Sequence, residues 1–126
     1  MKIRAMLAIA GCMIGATATA DEWRKADTAR EVAWQAINIV DMGTTLDLAK
    51  QNEAAGYMRY TEINPLIGHN PSPEQVTQRM LLGAVAHASI SYTLPHKWRT
   101  AWQYVSLASS AACTQNNFSI GLRVNF

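Results

Sequence analysis

The chain has 126 residues, of which 49% are hydrophobic and 16% are charged, and it contains two cysteines. This length supplies one domain and excludes architectures such as a TIM barrel, which need about 250 residues. The hydrophobic content is too high for a disordered chain, and two cysteines are too few for a disulfide scaffold.

The start of the chain has the layout of a secretory signal peptide. A short basic segment precedes an apolar run over residues 5–16, and Ala18-x-Ala20 is a small-residue cleavage pattern. The apolar run is too short for a comfortable membrane span. We therefore predict a signal peptide over residues 1–20 and a single helical domain over residues 21–126.

An alternative cleavage site lies inside this leader. Ile9-Ala10-Gly11-Cys12 resembles the lipobox at which bacterial lipoprotein precursors are cut and acylated. We favour cleavage after the twentieth residue, because the segment that follows the lipobox is more apolar than a usual lipoprotein tether. Cys113 then lacks a disulfide partner in the chain, and we expect its thiol to be buried.

The charge balance of the mature chain argues against nucleic-acid binding. Removal of residues 1–20 leaves nine basic and nine acidic residues, with no basic run. A neutral chain of this kind lacks the electrostatic footprint that nucleic-acid binding needs.

Hydrophobic periodicity and capping residues predict three helices. Asp27 or Thr28 is the expected N-cap of the first, with Lys50 near its C-terminus, and Ser72 with Gln75 forms a capping box at the second. A long connection rich in Pro and Gly separates these two helices. We place the helices at about residues 28–51, 72–94 and 98–114.

None of the three predicted helices crosses a membrane convincingly. Asp41 and Asp47 lie within the first helix, and each costs about 2.5–3.5 kcal/mol at the centre of a bilayer. The fold prediction is all-α: a compact three-helix bundle with partial membrane association and a short extended C-terminal segment.

Asp41 and Thr45 are the first candidates for a polar site, because residues four apart share a helix face. A carboxylate among apolar side chains must be paired, hydrogen-bonded or protonated. One interpretation is a structural aspartate that accepts hydrogen bonds from nearby backbone. The other is a ligand-binding site inside the bundle, with Glu62 or His87 as the partner of Asp41.

Glu62-x-Asn64-Pro65 is the most distinctive short string in the chain. An asparagine before proline is held away from helical geometry and can turn the chain by bonding its own backbone. Glu62 either holds this loop, by pairing with Arg59 or Arg79 or reaching the second helix, or belongs to the ligand site.

These two motifs carry a resemblance. Asp-x-x-x-Thr on a first helix, followed by Glu-x-Asn-Pro before a second, resembles a group of small multi-helix membrane proteins of bacteria and phages. The resemblance implies a helical membrane protein and carries over no activity. The matching positions, within residues 30–95, are Asp41, Thr45, Glu62, Asn64 and Pro65.

No pattern in the chain indicates catalysis or a metal site. A metal site would require Asp41, Glu62, His69 and His87 to converge, and no pair has ligand spacing. His87 lies among Ala and Ser residues, where a packed histidine is the ordinary interpretation. We predict a protein that is not an enzyme, with no catalytic residue, no metal and no cofactor.

Two groups of aromatic and basic residues suggest contact with a membrane interface. Trp98, Trp102 and Tyr104 lie beside basic residues of the third helix, although core packing explains them equally well. Trp23, with Arg24, is expected to serve similarly at the other end of the bundle.

The last residues alternate in polarity, which is typical of a strand. The pattern Gly121-x-x-Val124-x-Phe126 resembles the C-terminal strand by which outer-membrane barrels are recognised. We favour a tail packed along the bundle. The alternative is a docking segment that adds to a sheet edge of an envelope partner through Gly121, Val124 and Phe126.

Together these patterns predict an exported protein of a Gram-negative-type envelope, periplasmic or membrane-associated, with a binding or structural role. Its expected partners are an envelope protein or membrane lipid. One alternative is a helical protein whose polar site at Asp41, Glu62 and His87 binds a metal or ligand. Another is a phage-type lysis or exclusion factor that acts at the membrane.

Overall fold

A computed structural model describes residues 22–126, so the predicted signal peptide lies outside the described residues. Three helices follow one another: α1 (Lys25–Ala55), α2 (Pro73–Thr93) and α3 (His96–Ser119). The all-α, three-helix prediction is confirmed. Within residues 22–126 there is no strand, and no helix is long and apolar enough to cross a membrane.

Helix α1 is the centre of the bundle. It packs against both other helices, whereas α2 and α3 contact each other much less. Every residue from Gly43 to Ala49 is buried, because this part of α1 is covered on all sides. A small apolar cluster of Leu46, Ala49, Ile67, Val76 and Met80 joins α1, the connecting loop and α2.

The N-terminus of α1 differs from the prediction. The N-cap is Arg24, and Asp27 lies inside the first turn, where its Oδ2 accepts the Arg24 N–H at 2.9 Å. The expected N-caps, Asp27 and Thr28, are therefore wrong. Asp27 is instead the third residue of the helix, and its carboxylate accepts the N–H of the N-cap, which lets the helix begin earlier.

The other helix ends follow simple stereochemistry. Helix α1 continues until Gly56, whose φ of 71° is the left-handed conformation that glycine adopts readily. Lys50 is therefore not in the last turn, and its expected role at the helix dipole is wrong. The predicted capping box of α2 is confirmed, with the Gln75 N–H donating to Ser72 Oγ at 3.2 Å.

Arg99 holds the start of α3 to both other helices. Its side chain is completely buried and donates to Asp27 Oδ2 at 2.9 Å, to the Ser91 carbonyl at 2.7 Å and to the Leu94 carbonyl at 2.9 Å. The guanidinium also lies over the ring of Trp23, 5.0 Å from its centroid.

This arrangement brings the two aromatic and basic groups to the same end of the bundle. The ring of Trp23 lies 6.0 Å from that of Tyr92, and Arg24 Nη1 lies 3.0 Å from His96 Nε2. The expectation that they lie at opposite ends is wrong, because the α2–α3 turn returns the chain to the start of α1.

The C-terminal segment is extended and packs along α1. The Asn125 N–H donates to the Gly43 carbonyl at 3.1 Å. The carboxylate of Asp47 accepts the Arg123 N–H at 2.9 Å and the Asn125 amide at 3.1 Å. Lys50 Nζ donates to the Asn125 carbonyl at 3.1 Å.

Gly43 makes this close approach possible. A Cβ atom at this position would lie 2.7 Å from Val124 Cγ1, which is too close without displacement, and 3.1 Å from Phe126 Cζ, which is a tight contact. The contact therefore depends on the missing side chain of Gly43.

We predict that Gly43→Ala displaces the tail and lowers the free energy of unfolding by about 1 kcal/mol, because the overpacking outweighs the gain in helix propensity of about 0.5–1 kcal/mol. Digestion with a carboxypeptidase should remove the last residues faster than in the wild type. Gly83→Ala is the matched control, because nothing lies within 4 Å of a Cβ atom there. It should stabilise α2 by about 0.5–1 kcal/mol. Equal stability and equal digestion of both variants would contradict the tail contact.

Candidate functional site

Two buried carboxyl groups meet between α1 and the loop that precedes α2. Asp41 on α1 is 3% exposed and Glu62 in the loop is 1% exposed. Burial and the charge of Glu62 raise the pKa of Asp41 to about 7. Burial also raises the pKa of Glu62, although hydrogen bonds from the Asn64 N–H and the Thr45 hydroxyl oppose that rise.

The loop presents Glu62 through its own backbone. The Asn64 N–H donates to Glu62 Oε1 at 2.7 Å, and the Glu62 N–H donates to the His69 carbonyl at 2.9 Å. The Asn64 side chain accepts the Leu66 N–H at 3.0 Å, as the Asn-Pro pattern predicts. The loop is therefore closed by local hydrogen bonds that point the carboxyl group of Glu62 inward.

The arginines that were candidates for pairing with Glu62 bond elsewhere. Arg79 donates to the Ile67 carbonyl, and the guanidinium of Arg59 lies over the ring of Tyr60, 5.3 Å from its centroid. Glu62 Oε2 is buried and accepts no hydrogen bond from the described residues. The interactions that set the two carboxyl pKa values include no cation.

Helix α3 covers the pair with Asn117. The amide nitrogen of Asn117 lies 2.9 Å from Thr44 Oγ1 and 3.2 Å from Asp41 Oδ1. One turn earlier, Cys113 is partly exposed rather than buried as expected. Burial and the charges of Asp41 and Glu62 raise the pKa of its thiol, which disfavours the reactive thiolate.

This geometry suits retention of a proton. Burial and mutual repulsion, with no cation among the contributions, disfavour ionisation of both carboxyl groups at once. Residues 22–126 contain no group of three or more His, Cys, Asp or Glu residues that could hold a metal ion.

His87 does not join this pair. Its Nδ1 lies 3.0 Å from Glu31 Oε1, and its ring stacks between Trp34, at 3.7 Å, and Trp102, at 5.0 Å between centroids. Ser91 Oγ donates to the second oxygen of Glu31 at 2.9 Å. His87 belongs to a separate polar cluster.

The separation of the two clusters follows from the helix rise. Glu31 and Asp41 are ten residues apart on α1, which corresponds to about 15 Å along the axis. The structure therefore brings together Asp41, Thr45, Glu62 and the backbone of Asn64 but leaves His87 outside. The three-residue site of Asp41, Glu62 and His87 is not assembled.

Two residues of these clusters are not indicated as site residues by the sequence. Asn117 covers the carboxyl pair and Glu31 anchors the histidine cluster. Asn117 belongs to a run of three amides, Gln115, Asn116 and Asn117, in the uncharged stretch of α3, and the sequence does not distinguish it from its neighbours. In the predicted helix, which starts at about residue 28, Glu31 resembles any acidic residue of a first turn, whereas α1 begins at Lys25 and has only Asp27 there.

The tail residues proposed for partner docking have their contacts within this chain. Val124 and Phe126 lie against Gly43, and Gly121 turns the chain with a φ of 95°. The ring of Phe126 remains 64% exposed. The tail is therefore docked on α1 and still presents apolar surface.

Comparisons with protein-family models, curated proteins and solved structures found no match to this chain.

We predict that Asp41→Asn removes most of the pH dependence of stability between pH 5 and 8. The folded pKa of Asp41 lies above its unfolded value, so the wild type is most stable when the carboxyl group is protonated and loses stability as pH rises towards about 7. At pH 8 the variant should be more stable than the wild type by roughly 2 kcal/mol. Urea unfolding at several pH values measures this difference.

Asp47→Asn is the control, and its effect has the opposite sign. Burial alone would raise the pKa of Asp47, but hydrogen bonds from the Arg123 N–H, Asn125 and Gln51 hold it below its usual value. Neutralising Asp47 should therefore destabilise the protein at pH 7. If Asp41→Asn instead destabilises the protein at pH 8, Asp41 is an ordinary ionised structural residue.

Proposed function

We propose that this protein is an exported, non-catalytic helical protein of the cell envelope that associates with membrane lipid. The observation that carries the proposal is the distribution of polarity. Among residues 22–126, thirteen buried residues are polar or charged and only eight are hydrophobic. The interior is therefore unusually polar for a bundle of this size.

The outer surface is correspondingly apolar. Leu81 and Val85 lie one turn apart on the outside of α2, and Val105 lies on the outside of α3. Val32 and Ile39 are exposed on α1 in the same way. Each of these side chains is more than half exposed, so all three helices present hydrocarbon to their surroundings.

This distribution favours lipid over a single protein partner. A protein interface concentrates apolar side chains in one patch, whereas here they occur on every helix. The buried hydrogen bonds of Arg99 place polar groups inside the bundle and leave the outside free to contact an apolar medium. The signal-peptide pattern of residues 1–20 agrees with delivery to an envelope membrane.

We expect the mature protein to bind phosphatidylcholine vesicles through these exposed side chains. The triple variant Leu81→Ser, Val85→Ser and Val105→Ser should bind at least tenfold more weakly, because each side chain contributes roughly 1 kcal/mol. Vesicle flotation, with light scattering to record the oligomeric state, measures both properties.

Gln78→Ser with Gln115→Ser is the control, because it shortens exposed polar side chains on the same two helices. It should leave vesicle binding unchanged. If the protein binds no vesicle but forms a dimer that the triple variant disrupts, the apolar surface is a protein interface.

We expect export to remove residues 1–20. Intact mass of the protein recovered from the envelope fraction should correspond to a chain that begins at Asp21. Ala20→Leu should retain the leader, because the cleavage pattern requires a small residue. Full-length chain in the soluble cytosolic fraction contradicts export, and an acylated chain that begins at Cys12 indicates lipoprotein processing.

A further inference from the structure

One end of the bundle gathers side chains that lie about seventy positions apart in sequence. We call this surface the basic end and define it by its six residues. Within it the rings of Trp23 and Tyr92 lie 6.0 Å apart, which fixes the start of α1 beside the end of α2. The six residues are Trp23, Arg24, Lys25, Tyr92, Lys97 and Trp98.

The exposed charges of this surface are mostly positive. Arg24, Lys25 and Lys97 are exposed, and Glu22 is an exposed acid beside them. The other acid of this region, Asp27, is completely buried and bonds to Arg99 and Arg30. The negative charge of Asp27 is thus compensated inside the bundle, and the surface keeps an excess of positive charge.

The start of α3 adds to this positive potential. The positive end of its dipole lies at the basic end, whereas the N-terminus of α1 already has Asp27 in its first turn and the end of α2 contributes the negative end of a dipole. The N-cap of α3 is Pro95, which has no capping side chain, and the first turn of α3 contains no acidic residue. Anions with phosphate oxygens suit such a combination of cations and a helix N-terminus.

Apolar surface adjoins these charges. Trp98 and Tyr92 are each about two-thirds exposed. Trp98 also lines, with Leu94, Trp102 and Val105, an apolar groove of about 330 Å³. Aromatic rings and cations side by side are typical of proteins at the boundary between lipid headgroups and hydrocarbon. A soluble phosphate compound would use the cations and leave the rings and groove without a role.

We infer that the basic end binds the phosphate headgroups of anionic membrane lipids, with Trp98 and Tyr92 at the level of the headgroups. The inference rests on the proposed membrane association and specifies its lipid and its orientation. Lys25 and Lys97 supply attraction to the negatively charged surface, and each basic residue near such a surface strengthens binding. The apolar groove beside Trp98 then faces the hydrocarbon.

The experiment compares flotation of the mature protein with vesicles of phosphatidylcholine alone and with vesicles that also contain phosphatidylglycerol. We expect at least tenfold tighter binding to the anionic vesicles, weakened by added salt. The double variant Lys25→Glu with Lys97→Glu should lose this preference and retain its binding to phosphatidylcholine. Acidic residues in a first helical turn are favourable, so the variant should fold, which circular dichroism checks.

Arg59→Glu with Arg123→Glu is the matched control. It changes the net charge equally, at exposed positions in the loop and in the tail, away from the basic end. This control should keep most of the preference for anionic vesicles. Equal losses in both double variants would show a general charge effect and overturn the inference.

The remaining outcomes separate the inference from the proposed function. Equal binding of the wild type to both kinds of vesicle overturns the inference and leaves membrane association intact. Binding to neither kind of vesicle overturns both. Displacement from anionic vesicles by inorganic phosphate at constant ionic strength would identify a site for free phosphate and overturn the assignment to lipid.

Discussion

The buried guanidinium of Arg99 is the interaction on which the arrangement of the helices depends. It bonds to Asp27 of α1 and to the last carbonyls of α2, so all three helices meet around one charge. Breaking such a pair leaves an uncompensated buried charge and typically costs about 3–5 kcal/mol. The network continues through Gln103, which donates to the Asp27 carbonyl and to Glu31, and so reaches His87. The apolar core of this chain is small, so these polar contacts fix how the three helices are aligned along one another.

Three aspartates on α1 show how the surroundings decide ionisation. Burial alone would raise the pKa of Asp27 and Asp47, but hydrogen bonds and nearby cations hold both below the usual value. Asp41 is buried on the same helix, faces Glu62 and has a pKa raised to about 7. Two of the carboxylates therefore act as ionised anchors, whereas the third changes from protonated to ionised as the pH passes about 7. The ionisation of Asp41 beside Glu62 therefore changes near neutral pH.

The sequence predicts the local structure well, but it does not predict which residues of different helices come into contact. Helical periodicity, the Ser72 capping box and the shared face of Asp41 and Thr45 are local, and the structure confirms them. Asn117 covers Asp41 because α3 continues to Ser119, past the predicted end at about residue 114, and packs against α1 there. His87 is a packed histidine, as the sequence indicates. Its partner is Glu31, because α2 crosses α1 at that point. Periodicity within one helix contains no information about that crossing.

The contacts of α1 also constrain the order of folding. Arg99 reaches the Ser91 carbonyl across 8 positions, whereas its bond to Asp27 spans 72 and that of Lys50 to Asn125 spans 75. Contacts between distant positions form only after the entropy of closing a long loop is lost. We expect the turn between α2 and α3 to form early and the association with α1 to come late. Until that last step the chain exposes both polar and apolar groups that the folded bundle later covers.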